Sequence, residues 1–148
     1  MYVNTSETYN QATASPSAFA GGTEDARGDI DGDLSPLTLF TVTGTVAMKL
    51  MARCTVSLAG ATAKLEVGTA LSTAGLIAQT TATDIDANEI WHDATPDASI
   101  ELSSVLTEKI VNQNVIETAS VADITSGNIQ YIALWRPITP GATVNGVN

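Results

Sequence analysis

The chain carries one histidine and one cysteine, and neither sits in a pattern that completes a catalytic device. His92 stands beside Asp93, a pairing in which a carboxylate can orient an imidazole base. No GxSxG elbow supplies a nucleophile for that base to activate. Cys54 falls on an inward position of an alternating apolar run, where a buried neutral thiol reacts poorly. One Cys and one His fall short of the four N or S ligands of a structural zinc site, and a lone Cys makes no internal disulfide. There is no phosphate-cradling glycine loop, and no two carboxylates are singled out for glycoside chemistry. The expectation is a protein that is not an enzyme and uses no cofactor.

Three other patterns bear on binding. Asp29, Asp31 and Asp33 place carboxylates at alternate positions, as an EF-hand loop begins, and Asp84-Ile85-Asp86-Ala87-Asn88-Glu89 does something similar. Both then depart from the calcium pattern. The sixth position is Leu34 or Glu89 instead of Gly, and the twelfth is Phe40 or Thr95 instead of Glu. Turn-forming, solvated aspartates are the simpler expectation, with Asp29, Asp31 and Asp33 the calcium candidates. Arg27-Gly28-Asp29 spells a cell-adhesion tripeptide, which three residues in a Gly- and Asp-rich stretch do readily by chance. Trp135 sits among apolar neighbours and reads as core or interface, whereas Trp91, in a polar acidic loop, reads as a partner contact or a sugar-stacking platform.

These residues need a scaffold, and the scaffold reads as β. Phe40, Val42, Val46, Met48, Leu50, Cys54, Val56 and Leu58 fall on even positions, with Thr41, Thr43, Thr45, Lys49, Arg53, Thr55 and Ser57 on odd ones. That period of two predicts strand, broken at Gly44 because the run is too long for one element. After Ala59-Gly60-Ala61, the alternation of Ala63, Leu65 and Val67 predicts an antiparallel hairpin. Further strands are expected over Leu76 to Thr83, Ser99 to Leu102, Lys109 to Thr118 and Asn128 to Arg136, with an acidic loop over Asp84 to Pro96. No helical stripe persists beyond two turns. The expected fold is all-β, a jelly-roll-like antiparallel β-sandwich over 36–138. Residues 1–35, without periodicity, are expected to form an extended N-terminal arm, and 139–148 a C-terminal tail.

Composition adds exclusions. The 148 residues carry 16 Asp and Glu against 6 Lys and Arg, a formal net charge of -10. Such a chain repels phosphate backbones and anionic lipid, so neither nucleic acid nor membrane is an expected partner. Met1 to Thr13 has no basic start and no apolar stretch, so no secretion signal is expected. The negative charge concentrates in Glu24 to Asp33 and Asp84 to Asp97, while Phe40 to Leu58 carries Lys49 and Arg53 and no carboxylate.

Leu39-Phe40-Thr41-Val42-Thr43-Gly44, Leu65-Glu66-Val67-Gly68-Thr69-Ala70 and the block from Leu76-Ile77-Ala78-Gln79 through Ile90-Trp91-His92-Asp93 resemble a group of small β-rich proteins of tailed bacteriophages. The resemblance covers about residues 37 to 138, and the long N-terminal lead departs from it. It implies a virion structural protein, with head decoration the expected role, and it carries over no catalytic residue. Implied partners are the major capsid protein and the chain itself, as a homotrimer on the outer surface of the phage head. Tyr2, Tyr9 and Phe19 would anchor the arm on capsid subunits, with Trp91 a further contact. The alternatives are a tail or fibre component, or a carbohydrate-binding attachment module.

Overall fold

The computed structural model describes residues 8–97 and 99–147, which form two five-stranded antiparallel sheets in a sandwich-like arrangement. One sheet holds β1 (Asn10–Ala14), β9 (Ser126–Pro137) and β3 (Val46–Ala59) side by side. The far edge of β3 is shared by two short strands, β6 (Ile90–Trp91) and β7 (Lys109–Val111). The second sheet runs in the order β10 (Thr143–Gly146), β2 (Leu37–Thr43), β8 (Val115–Ser120), β4 (Lys64–Thr69), β5 (Ser72–Thr81). All-β is therefore the fold class, as the period-two pattern predicts. No helix among the described residues is long and apolar enough to cross a membrane.

The alternating run divides where Gly44 stands. Its φ of +73° is a left-handed conformation that glycine adopts without steric cost, and the chain leaves β2 there to enter β3 in the other sheet. On β3 the even residues Val46, Met48, Leu50, Cys54 and Leu58 are buried as the alternation requires. Val56 breaks the rule and is 55% exposed, because the register against β9 shifts between Cys54 and Val56. Ala59-Gly60-Ala61 does not close the expected hairpin. β4 pairs with β5 and β8, so the turn carries the chain from one sheet to the other. Likewise Lys109 to Thr118 is two strands in different sheets, and Ser99 to Leu102 forms no strand.

The described part of the expected arm is built into the sandwich. β1 pairs with β9 over Asn10↔Trp135 to Ala14↔Tyr131, which turns Ala12 and Ala14 into the core. Beyond it, backbone bonds from Phe19 N–H to the Gly127 carbonyl, from Gly21 N–H to the Ile124 carbonyl, and from Ile124 N–H to the Gly28 carbonyl stitch the segment to the entry of β9. The approach at Gly28 is close: φ is +99°, and a Cβ there would lie 2.4 Å from the Ile124 carbonyl oxygen. A stretch poor in apolar residues is thus ordered by pairing and backbone bonds rather than by area. The expected tail is also a strand, since β10 pairs with β2 and Val144 is buried.

Cys54 lies fully buried on β3 with its Sγ 3.2 Å from the Val56 carbonyl oxygen. Burial pushes its thiol up to about 11, so at pH 8 it is neutral. Native protein is expected to leave a disulfide-exchange reagent unreacted at pH 8 and to titrate one thiol once unfolded in guanidinium. Rapid labelling of the folded protein would contradict the buried placement.

Candidate functional site

Two of the four residues singled out as partner contacts, Phe19 and Trp91, point inward. Phe19 is 3% exposed and lies under Arg27, whose Cζ sits 3.8 Å from the ring centroid. Trp91 is fully buried: β6 lays it against β3, opposite Ala52, where its Nε1 donates to the Thr80 hydroxyl at 2.9 Å. Neither offers a face to a capsid or a sugar, so both assignments are corrected. The acidic loop around Trp91 suggested exposure, but two residues of pairing with a central strand suffice to draw the indole inside. Tyr9 is half-buried, hydrogen-bonded to Glu108 and 5.2 Å from the Lys49 ammonium. Tyr2 lies outside the described residues.

Arg27-Gly28-Asp29 is not displayed for adhesion either, since Arg27 is 1% exposed and belongs to an interior network. Its Nε and Nη2 donate to the two oxygens of Glu117 on β8, at 2.9 and 2.6 Å, and Nη1 donates to the Ser17 carbonyl at 2.7 Å. Tyr131 on β9 donates its hydroxyl to the same carboxylate at 2.5 Å. Burial alone would make Arg27 easier to deprotonate, but the adjoining Glu117 carboxylate outweighs it and the guanidinium titrates above its ordinary range. The Tyr131 phenol is pushed well up by burial and by the Glu117 charge.

The calcium candidates do not converge. Asp29 spends its oxygens on the backbone N–H groups of Asp25 and Asp31, at 2.9 and 3.3 Å, and Asp33 offers its own N–H to the Asp25 carboxylate at 3.2 Å. The hydrogen bond between the Asp29 and Asp31 side chains holds Asp29 below the usual carboxylate range and Asp31 above it. In the second acidic loop, Glu89 accepts the Asp86 N–H at 2.8 Å. These are turn-capping roles.

Two features that sequence reasoning missed occupy the connection between β6 and β7 and the start of β7. The first is apolar and exposed: Ile100 at 86%, Leu102 at 68%, Val105 at 40% and Ile110 at 64% all fall within 100–110. The second is polar. Ile90 and Asp97 exchange backbone hydrogen bonds of 3.0 and 2.9 Å, closing a small loop that brings His92 back against Asp97. His92 Nε2 lies 3.1 Å from Asp97 Oδ2 and 3.5 Å from Glu101 Oε2. On the other side of the ring, Nδ1 is 3.8 Å from Asp93 Oδ2. The His92 side chain is only 6% exposed. The expected His92–Asp93 neighbourhood thus exists, but the shorter contacts run to residues five and nine positions on. The spacing His92, Asp97, Glu101 was the available signal.

Comparison with protein-family models, with curated proteins and with solved structures finds no match to this chain.

Proposed function

We propose that the chain is a bacteriophage capsid decoration protein, which binds the outer surface of the head shell and stabilises it without performing a reaction. The observation that carries this reading is the apolar segment 100–110. Three large apolar side chains exposed on one connection of a tightly paired sandwich, with Ile110 on the strand that follows, make a surface suited to burial against a protein partner. The sequence resemblance over about 37–138 supplies the partner, the major capsid protein. Self-association as a trimer at threefold positions fits the same role, because many copies on a symmetric shell let each contact be modest. The net charge of -10 favours the outside of a particle whose interior holds DNA.

Docking through a detachable arm is withdrawn. Removing 1–35 would take away β1, Phe19 and Arg27, all of which the sandwich uses. The test is cosedimentation of the full chain with undecorated head shells of the encoding phage. Wild type is expected to saturate the shells. A Leu102→Asp/Ile110→Asp variant with an unchanged melting midpoint is expected to bind at least tenfold more weakly. Failure of wild type to sediment with shells, or label on tails in electron micrographs of virions, would overturn the reading.

A further inference from the structure

His92, Asp97 and Glu101 bring one imidazole nitrogen and two carboxylate oxygens to within 4.8 Å of one another. We propose that this trio is a binding site for a divalent transition-metal ion of the zinc class, with the remaining coordination position open to water. The proposal does not rest on the capsid-binding reading, although Glu101 lies within the exposed segment 100–110.

The spacing carries the proposal. Zinc holds imidazole nitrogen and carboxylate oxygen at about 2.0–2.2 Å in a tetrahedron, which sets neighbouring ligand atoms roughly 3.3–3.6 Å apart. Of the observed distances from His92 Nε2, 3.5 Å to Glu101 falls within that range and 3.1 Å to Asp97 falls just short of it. Metal-bound histidines commonly turn their second ring nitrogen to a carboxylate, and Asp93 Oδ2 stands 3.8 Å from Nδ1, on the side away from the trio. The donor set is mixed nitrogen and oxygen, which suits zinc better than calcium or magnesium, whose sites are built from oxygen alone.

Electrostatics point the same way. Two carboxylates face each other here, and the hydrogen bond with Glu101 holds Asp97 above the usual carboxylate range. Glu101 is held below it, first by the Leu102 N–H and then by Asp97. A doubly charged cation would neutralise the two facing carboxylates. Lys109, which shares a hollow with His92 and Asp93, spends its ammonium on the carbonyls of Gly75 and Leu76 at 2.8 and 3.3 Å.

The trio also sits where a cation would have a structural effect. His92 follows the anchored Trp91, Asp97 closes the loop through its bridge to Ile90, and Glu101 lies between the exposed Ile100 and Leu102. A metal ion would tie the connection between β6 and β7 back onto the sheet. Binding of zinc is thus coupled to the placement of His92, Asp97 and Glu101 rather than to a reaction.

Isothermal titration of the metal-free full chain with zinc chloride, repeated with calcium chloride, tests this. One zinc per chain is expected, with no heat from calcium and a melting midpoint raised by about 5–11 °C at 100 times the dissociation constant. Cobalt in place of zinc should give the visible absorption of a four-coordinate nitrogen and oxygen site. Glu101→Gln and Asp97→Asn should each weaken zinc at least tenfold while leaving the metal-free midpoint near wild type. If either variant melts early without metal, the His92→Gln variant and the cobalt spectrum decide instead. Absence of a one-to-one event, or zinc binding that is unchanged in these variants, would overturn the site.

Discussion

Glu117→Ala is expected to cost about 3–5 kcal/mol of folding stability, because it strands the buried Arg27 guanidinium without a counter-charge. In the native protein every strong demand of that guanidinium is met, by both Glu117 oxygens, the Ser17 carbonyl and the Phe19 ring face. The Tyr131 hydroxyl would lose its acceptor in the same step. The penalty comes from breaking the group, not from its worth as a whole. Replacing all three members by apolar residues of similar size, Arg27→Met, Glu117→Leu and Tyr131→Phe together, should recover much of the loss, since desolvating two charges offsets most of what their attraction returns. Urea unfolding of the single and triple variants checks both statements. A Glu117→Ala midpoint indistinguishable from wild type, or a triple variant weaker than the single one, would refute the account.

This network shows what the N-terminal segment contributes. Arg27 comes from the stretch that precedes β2, Glu117 from β8 in one sheet and Tyr131 from β9 in the other. One buried carboxylate therefore joins both sheets and the segment that would otherwise be peripheral. Little of it was legible in the sequence. Glu117 sits among Val115, Ile116 and Ala119, where alternation alone marks an inward position but says nothing about a partner ninety residues upstream. Arg27 lies in a Gly- and Asp-rich run whose composition argues for solvent, and only the backbone pairing of that run with the entry of β9 overrides it.

The parts that were legible rest on local physics. Period two gave the strands, and a glycine free to adopt positive φ gave the break between β2 and β3. What local pattern does not encode is which sheet a strand joins. Gly60 reads as a hairpin turn, yet β3 and β4 part company there, because the two backbone edges of β4 pair with β5 and β8 in the other sheet. The His92 site was hidden for a related reason. Asp97 becomes its neighbour through a backbone bridge to Ile90, seven residues back in the chain, a turn that no helical or strand period announces.

Trp91→Ala is the second large loss, expected at about 3–5 kcal/mol, or roughly 6–20 °C in melting midpoint. The indole is fully buried, tilted against Tyr131 with ring centroids 6.5 Å apart, and so touches a member of the Arg27 network. Truncation leaves a cavity and also strips the Thr80 hydroxyl, itself 3% exposed, of its Nε1–H donor. Trp91→Phe separates the two contributions. It keeps most of the volume and gives up the hydrogen bond, so it should fall between wild type and alanine, nearer wild type. The same residue governs how an attachment assay is read. Because Trp91→Ala acts through the core, any glycan or shell binding lost in that variant must be compared with its melting curve before it is assigned to a contact. The discriminating result is the stability itself: a Trp91→Ala protein that unfolds within about 1 kcal/mol of wild type would return the indole to the surface and restore it as a candidate contact.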